Sequence, residues 1–248
     1  MDYEDKMKEL KKIINESDNI VFLGGAGVST ESNIPDFRSE KGLYNAVNKY
    51  GFPPETLISH TFFMINTDKF YEYYKENLIY PDAKPNNAHK ALAKLEEMGK
   101  LKAVVTQNID NLHQLAGSKV VYELHGSVYR NYCMDCHEFY DEKFILKADG
   151  VPKCEKCGGI VKPDVVLYEE GLDSSIMSAA IKAISNADVL IVGGTSLVVY
   201  PAAGFVNYYK GNKLVLINKS ETSFDGHADL VIHESIGKVF KECILDNI

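Results

Sequence analysis

Long apolar runs are missing from this 248-residue chain, and so is any surplus of positive charge. No stretch approaches the roughly 18 apolar residues that a membrane-spanning helix needs. The opening MDYEDKMKELKKII is charged where a secretory signal would be apolar, so the protein is expected in the cytoplasm. Lys and Arg number 27 against 35 Asp and Glu, and the net charge of -8 opposes attachment to polyphosphate. Nucleic acid and membranes are therefore not expected as partners, whereas Lys-rich protein segments would be weakly attracted. Internal repeats and low-complexity tracts are absent too, which excludes solenoids and disordered tails. Cysteines are few, five in all, and in a non-secreted chain they do not suggest a disulfide framework. Cys243 has no local His or basic partner and reads as a small apolar residue on a last helix.

What is present is an ordinary globular composition, 45% hydrophobic and 25% charged, with length for one large domain carrying a modest insertion. Met7, Leu10, Ile13 and Ile14 recur at helical spacing, and residues 19–23 then form a short buried strand. Further apolar runs stand at 101–105, 120–124, 189–192 and 214–217, with helical stretches such as 86–98 and 174–186 between several of them. This alternation predicts an α/β fold with a mostly parallel sheet covered by helices. Residues 1–41, 83–127 and 163–248 are assigned to that domain. The aromatic-rich stretch 42–82 and the Cys-bearing stretch 128–162, in which no long strand is expected, are assigned to a small second lobe.

Strand 19–23 runs into Gly24-Gly25-Ala26-Gly27-Val28-Ser29-Thr30, where small residues allow backbone N–H groups to approach an anion. Thr30 stands where a third glycine would complete a dinucleotide fingerprint, so a tight structural turn and a phosphate site both remain open. Cys133-x-x-Cys136 and Cys154-x-x-Cys157, seventeen residues apart, have the spacing of a four-thiolate zinc site. Four thiolates leave no open coordination position, which predicts one structural ion; His137 beside them reads as an exposed neighbour. Asp36, Phe37 and Arg38 could serve a phosphate and a flat ring, or form a capped turn with an ion pair. Gln107, Asn108, Ile109 and Asp110 follow one strand and His125 another, at the ends where open sheets bind ligands. An imidazole there suits a general base.

Together these residues resemble the sirtuin family of NAD-dependent protein deacylases, bacterial type. The resemblance spans about residues 10–240 and rests on GAGVSTESNIPDFRS, TQNIDNLH, ELHG, the two Cys pairs, GTSLVVYPAA (194–203) and INKS (217–220), in the family's order. It implies a Rossmann-like sheet with an inserted small helical and zinc-binding lobe. It implies that Ala26, Gly27, Thr30, Arg38, Gln107, Gly194, Thr195, Ser196 and Asn218 hold NAD as co-substrate, with Ile236 near the adenine. Phe37, Ile109 and Asp110 would line a nicotinamide pocket, Asn108 would order water and ribose, and His125 would be the base. An acetyl-lysine peptide would add as a strand between Val165, Val166 and Leu167 on one side and Val198 and Tyr200 on the other. The products implied are free lysine, nicotinamide and 2'-O-acetyl-ADP-ribose, and a monomer is expected. A preference for longer uncharged acyl groups and mono-ADP-ribosyl transfer remain as alternatives.

Three departures bear on the acyl group. Relatives that remove succinyl groups carry Tyr and, three residues on, Arg; here Tyr71 is followed by Tyr74, which implies a small uncharged acyl group. Asn33 stands where Gly is commoner, and Tyr168-Glu169-Glu170 replaces a frequent Phe-Gly-Glu.

Overall fold

The computed structural model describes residues 1–36 and 40–247, apart from the side chains of 40–43 and 247. Helix α1 (Tyr3–Glu16) opens the chain; the Asp2 carboxylate accepts the Asp5 N–H at its start, and Met7, Leu10, Ile13 and Ile14 are buried. It feeds β1 (Ile20–Gly24), buried at every position. Four helices follow: α2 (Glu40–Tyr50), α3 (Pro54–Leu57), α4 (His60–Ile65) and α5 (Thr67–Asn77). The chain re-enters the main domain through α6 (Asn87–Glu97), β2 (Leu101–Thr106), α7 (Leu112–Leu115) and β3 (Val121–Glu123). It leaves again through β4 (Gly126–Cys133), β5 (Phe139–Tyr140), α8 (Glu142–Lys147) and β6 (Val161–Val165). Last come α9 (Ser174–Asn186), β7 (Val189–Gly193), β8 (Lys213–Ile217), β9 (Leu230–Ile232) and α10 (Ile236–Cys243).

The main sheet has the order β3-β2-β1-β7-β8-β9, and every pairing in it is parallel. Its strands are Val, Ile and Leu runs because helices cover both faces. One face packs against α1, α6 and α10 through Leu10, Leu92, Ile191 and Phe240, and the other against α9 through Leu23, Leu190 and Ile184. From β1 the chain builds outward one way through β2 and β3 and the other way through β7, β8 and β9. The order therefore reverses between β1 and β7, and at such a point loops diverge and leave a crevice beyond the strands' carboxyl ends.

The small lobe combines α2–α5 with a three-stranded antiparallel sheet, β5-β4-β6. Its core is aromatic: Phe63, Phe70, Tyr71 and Tyr74 are at most 1% exposed and pack edge-on or stacked. The expectation that 128–162 lacks a long strand is corrected by the eight-residue β4. Its alternation is obscured because Gly126, Ser127 and Val128 are all buried where the two lobes meet. Gly126 takes a positive φ of 73°, and a Cβ there would lie 1.9 Å from the Asp164 carbonyl, so only glycine lets β4 cross β6 so closely. Arg130 braces this junction, with 2.7 Å contacts to both the buried Glu123 and Asp164. Among the described residues no helix is long and apolar enough to cross a membrane.

Candidate active site

A cleft of about 230 Å³ opens at the reversal point between β1 and β7, bounded by both lobes. Its floor is the glycine loop. The Gly27 N–H donates to the Gly194 carbonyl at 2.8 Å, and the Gly25 N–H to Gly193 at 3.3 Å. A Cβ on Gly27 would sit 2.7 Å from Gly194 Cα, and Gly194 itself has a φ of 59°. These glycines thus have a structural duty, to let the loops after β1 and β7 touch. The same contact puts both loops at the rim where a ligand would bind, so the two sequence readings of the motif are not exclusive.

Polar groups from four strand ends, those of β1, β2, β3 and β7, meet above this floor. Asn108 Nδ2 donates to the Gly25 carbonyl and to Ser29 Oγ, each at 3.0 Å, and the Ser29 hydroxyl donates to Asp110 at 2.6 Å. The Gln107 N–H donates to the Gly24 carbonyl at 3.0 Å, while its side chain reaches Thr195 Oγ1 at 3.3 Å. Burial pushes the Asp110 carboxyl up from its usual range, opposed by donors from Ser29 and Leu112. The half-buried His125 places Nδ1 2.9 Å from the Gln107 carbonyl. A carbonyl only accepts, so in the neutral ring the proton is on Nδ1 and the lone pair is on Nε2.

Ala26, Gln107, Asn108, Ile109, Asp110 and His125 line the cleft, as do Val165, Val166, Leu167 and Tyr200. Val198 and Tyr200 are 66% and 70% exposed, large apolar groups facing solvent beside the opening. Thr30 turns its hydroxyl back to the Gly27 carbonyl at 3.0 Å. Asn218 ends β8, with its amide on the Ser220 carbonyl at 2.8 Å. The Ile236 side chain is buried at 2% exposure and packs under Gly193, so it does not line the cleft. Phe37 and Arg38 lie outside the described residues.

Ser29 has no role on sequence grounds, yet its hydroxyl, 1% exposed, joins Asn108 to Asp110; nothing in the spacing of the glycine turn announces it. Ile58, Asn77, Leu78 and Tyr80 also line the cleft, brought there by the packing of the small lobe. Nothing local in their sequence announces it. Asn33 and Glu169, the two departures at glycine positions, have φ values of 63° and 77°, which explains why glycine is common at both.

In the small lobe the sulfurs of Cys133, Cys136, Cys154 and Cys157 all lie within 4.8 Å of one another. Each pair sits on a turn closed by a left-handed residue, His137 at 60° and Gly158 at 80°. His137 is exposed and its N–H returns to the Cys133 carbonyl at 3.0 Å, so it shapes the turn. The four cysteines are positioned to bind one metal ion, and an all-thiolate set suits structural zinc. The Tyr140 hydroxyl donates to Cys154 Sγ at 3.2 Å and accepts the Glu155 N–H at 2.9 Å, fixing one sulfur from outside.

A family model described as the Sir2 family matches residues 25–201. An NAD-dependent protein deacetylase of Clostridium acetobutylicum is 67% identical over 241 residues, covering 97% of this chain and 98% of the relative. One from Clostridium perfringens is 68% identical over 242 residues, covering 97% and 99%. Among solved structures, a Sir2 with a deacetylated p53 peptide and 3'-O-acetyl ADP ribose has a TM-score of 0.88 at 42% identity, covering 97% of this chain and 98% of that one. A Sir2 with a p53 peptide and NAD+ has a TM-score of 0.83 at 40% identity, with the same coverage.

Proposed function

This chain belongs to the Sir2 family, and from that premise we propose that it removes acetyl groups from protein lysine side chains in an NAD-dependent reaction that yields nicotinamide and 2'-O-acetyl-ADP-ribose. The reading rests on His125, whose ring stands in the cleft beside Gln107, Asn108 and Asp110, at the sheet's reversal point. This reading assigns the dinucleotide to the loops after β1, β7 and β8, with the hydroxyls of Thr30, Thr195 and Ser196 and the Asn218 amide as its polar contacts; the Gly25 and Gly27 N–H groups, held by the Gly193 and Gly194 carbonyls, shape the loop that it would lie against. When bound, NAD supplies the ribose carbon that the acyl oxygen attacks as nicotinamide departs.

The protein's own part is positioning and proton transfer. Nδ1 of His125, anchored on the Gln107 carbonyl, leaves Nε2 to take a proton from a ribose hydroxyl. Asn108, Ile109 and Asp110, braced by Ser29, form a wall for the nicotinamide end to which the family resemblance adds Phe37, with Arg38 holding the dinucleotide. Ala26, Gly27 and Gly194 give the dinucleotide backbone a close approach, with the Ile236 backbone at the adenine end. Holding a weak amide nucleophile in line, away from water, lowers the barrier by supplying proximity and orientation in advance. The peptide enters extended between Val165–Leu167 and Val198–Tyr200, pairing through backbone groups. Tyr74 stands where an Arg would pair with an acyl carboxylate, and the described residues lining the cleft include no Lys or Arg, which supports a small uncharged acyl group. Action in the cytoplasm, as a monomer, belongs to the same proposal, and light scattering checks the monomer.

Incubation with an acetyl-lysine peptide and NAD is expected to release nicotinamide in step with loss of the acetyl group. Nicotinamide without deacetylation would point instead to ADP-ribosyl transfer or NAD hydrolysis. His125→Ala should lower the rate by a factor on the order of 100 to 10,000 while NAD still binds; full activity would remove His125 from the mechanism.

A further inference from the structure

Among the described residues lining the cleft there is no Lys or Arg, against three carboxylates, Asp110, Glu169 and Glu170. They are not equivalent. Asp110 is buried under Ser29 and belongs to the inner wall. Glu170 is half-buried and its charge is answered, by Lys162 at 3.2 Å and by the His60 ring at 2.8 Å. Glu169 is exposed at the lip, and its carboxylate accepts from Thr61, through the side-chain hydroxyl and through the backbone N–H at 2.8 Å, with no Lys or Arg paired to it among the described residues. The Thr61 hydroxyl, and after it the N–H that is open in the first turn of α4, hold the carboxyl below its usual range, hence ionised.

Position 169 is unfavourable for a glutamate. Its φ of 77° is left-handed, a backbone conformation that a residue with a Cβ adopts less readily than glycine. The segment is also fastened on both sides: the Tyr168 N–H donates to the Ile58 carbonyl at 3.1 Å, and the His60 N–H donates to the Tyr168 carbonyl at 2.9 Å. The carboxylate is therefore held on a fixed edge of the peptide entrance, two residues beyond Leu167.

We infer that Glu169 is a specificity-determining residue of the peptide cleft, selecting acetyl-lysine segments whose neighbouring side chains are Lys or Arg and disfavouring segments whose neighbours are acidic. This rests on the peptide path proposed above. Backbone pairing along Val165–Leu167 is indifferent to sequence, so a lone lip charge is what gives the cleft a preference. The effect is modest and screened by salt, because the pair forms at the surface.

The test uses two acetyl-lysine peptides that differ only in carrying Lys or Glu on either side of the modified residue. Binding is read by fluorescence anisotropy and turnover by kcat/KM, each at low and at high ionic strength. The wild type should favour the Lys-flanked peptide by roughly fivefold at low salt and less at high salt, the size expected of one exposed charge pair. Glu169→Gln and Glu169→Gly should bring the ratio towards one. The ratio is the readout because a folding defect lowers both peptides alike, and the glycine variant adopts the left-handed backbone without strain. Equal affinity for the two peptides in the wild type, or a ratio unchanged in both variants, overturns the inference. A charge preference in binding without any deacetylation would leave the inference standing and defeat the proposed function.

Discussion

The large lobe encloses its core with Val, Ile and Leu strands between two helical layers, whereas the small lobe uses stacked aromatic rings and four sulfurs. A parallel sheet of six strands has enough apolar area to hold itself together. A three-stranded sheet with one edge strand, β5, only two residues long does not, and the metal site supplies the missing closure. The lobes therefore divide the work: the large one sets out rigid strand ends, and the small one, fastened at Gly126 and Arg130, forms the other side of the cleft. His125 stands at the seam.

Removing the metal should separate the two most sharply. Cys154→Ser, or a strong chelator, is expected to unfold the small lobe and abolish deacetylation, since structural zinc contributes roughly 10 kcal/mol or more. Hydrogen exchange should lose protection in β4–β6 while β1, β2 and β7 keep theirs; a metal-free, fully active preparation would contradict the division. The converse is a cavity in the large lobe. Ile191, 0% exposed at the centre of the sheet, should cost about 2–5 kcal/mol when changed to Ala, with one zinc still bound per chain by metal analysis.

Acid should also act on the large lobe. His89 and His113 are buried side by side, ring centroids 4.8 Å apart, and among the described residues neither His113 nitrogen has a partner. Burial lowers the pKa of His89 to about 4 and that of His113 well below its usual value. Both are neutral in the fold, so their contribution is complete above the unfolded value of about 6.5 and is lost as pH falls towards 4. Denaturant titrations should show stability falling by up to about 1.4 kcal/mol per pH unit for each ring, and His113→Phe should flatten that slope. The smallest effect is expected from Tyr140→Phe, which removes the donor to Cys154 and should cost about 1 kcal/mol, read as earlier zinc release in a chelator titration.

The same contrast decides what the sequence made legible. In the large lobe, α1, β1, β2, β7 and β8 stand within a residue of where periodicity puts them, because burial on both faces writes each strand as an apolar run. Only β9, three residues long, escaped. The small lobe was legible through its cysteines and not through its strands, since β4 hides its pattern at the inter-lobe contact. The polar cluster at 107–110 and His125 was visible as chemistry at strand ends. Ser29, Asn77 and Tyr80 were not, because they reach the cleft through loop geometry and packing that no local spacing encodes; Glu169 was visible only as a departure from a frequent glycine.

Whether the distant strand ends meet around one ribose is decided by a crystal structure with acetyl-lysine peptide and NAD. The nicotinamide ribose should lie within hydrogen-bond reach of His125, at the rim shared by β1 and β7, with the peptide between Val165–Leu167 and Val198–Tyr200. A dinucleotide bound elsewhere, or a His125 ring turned away from the ribose, would contradict it.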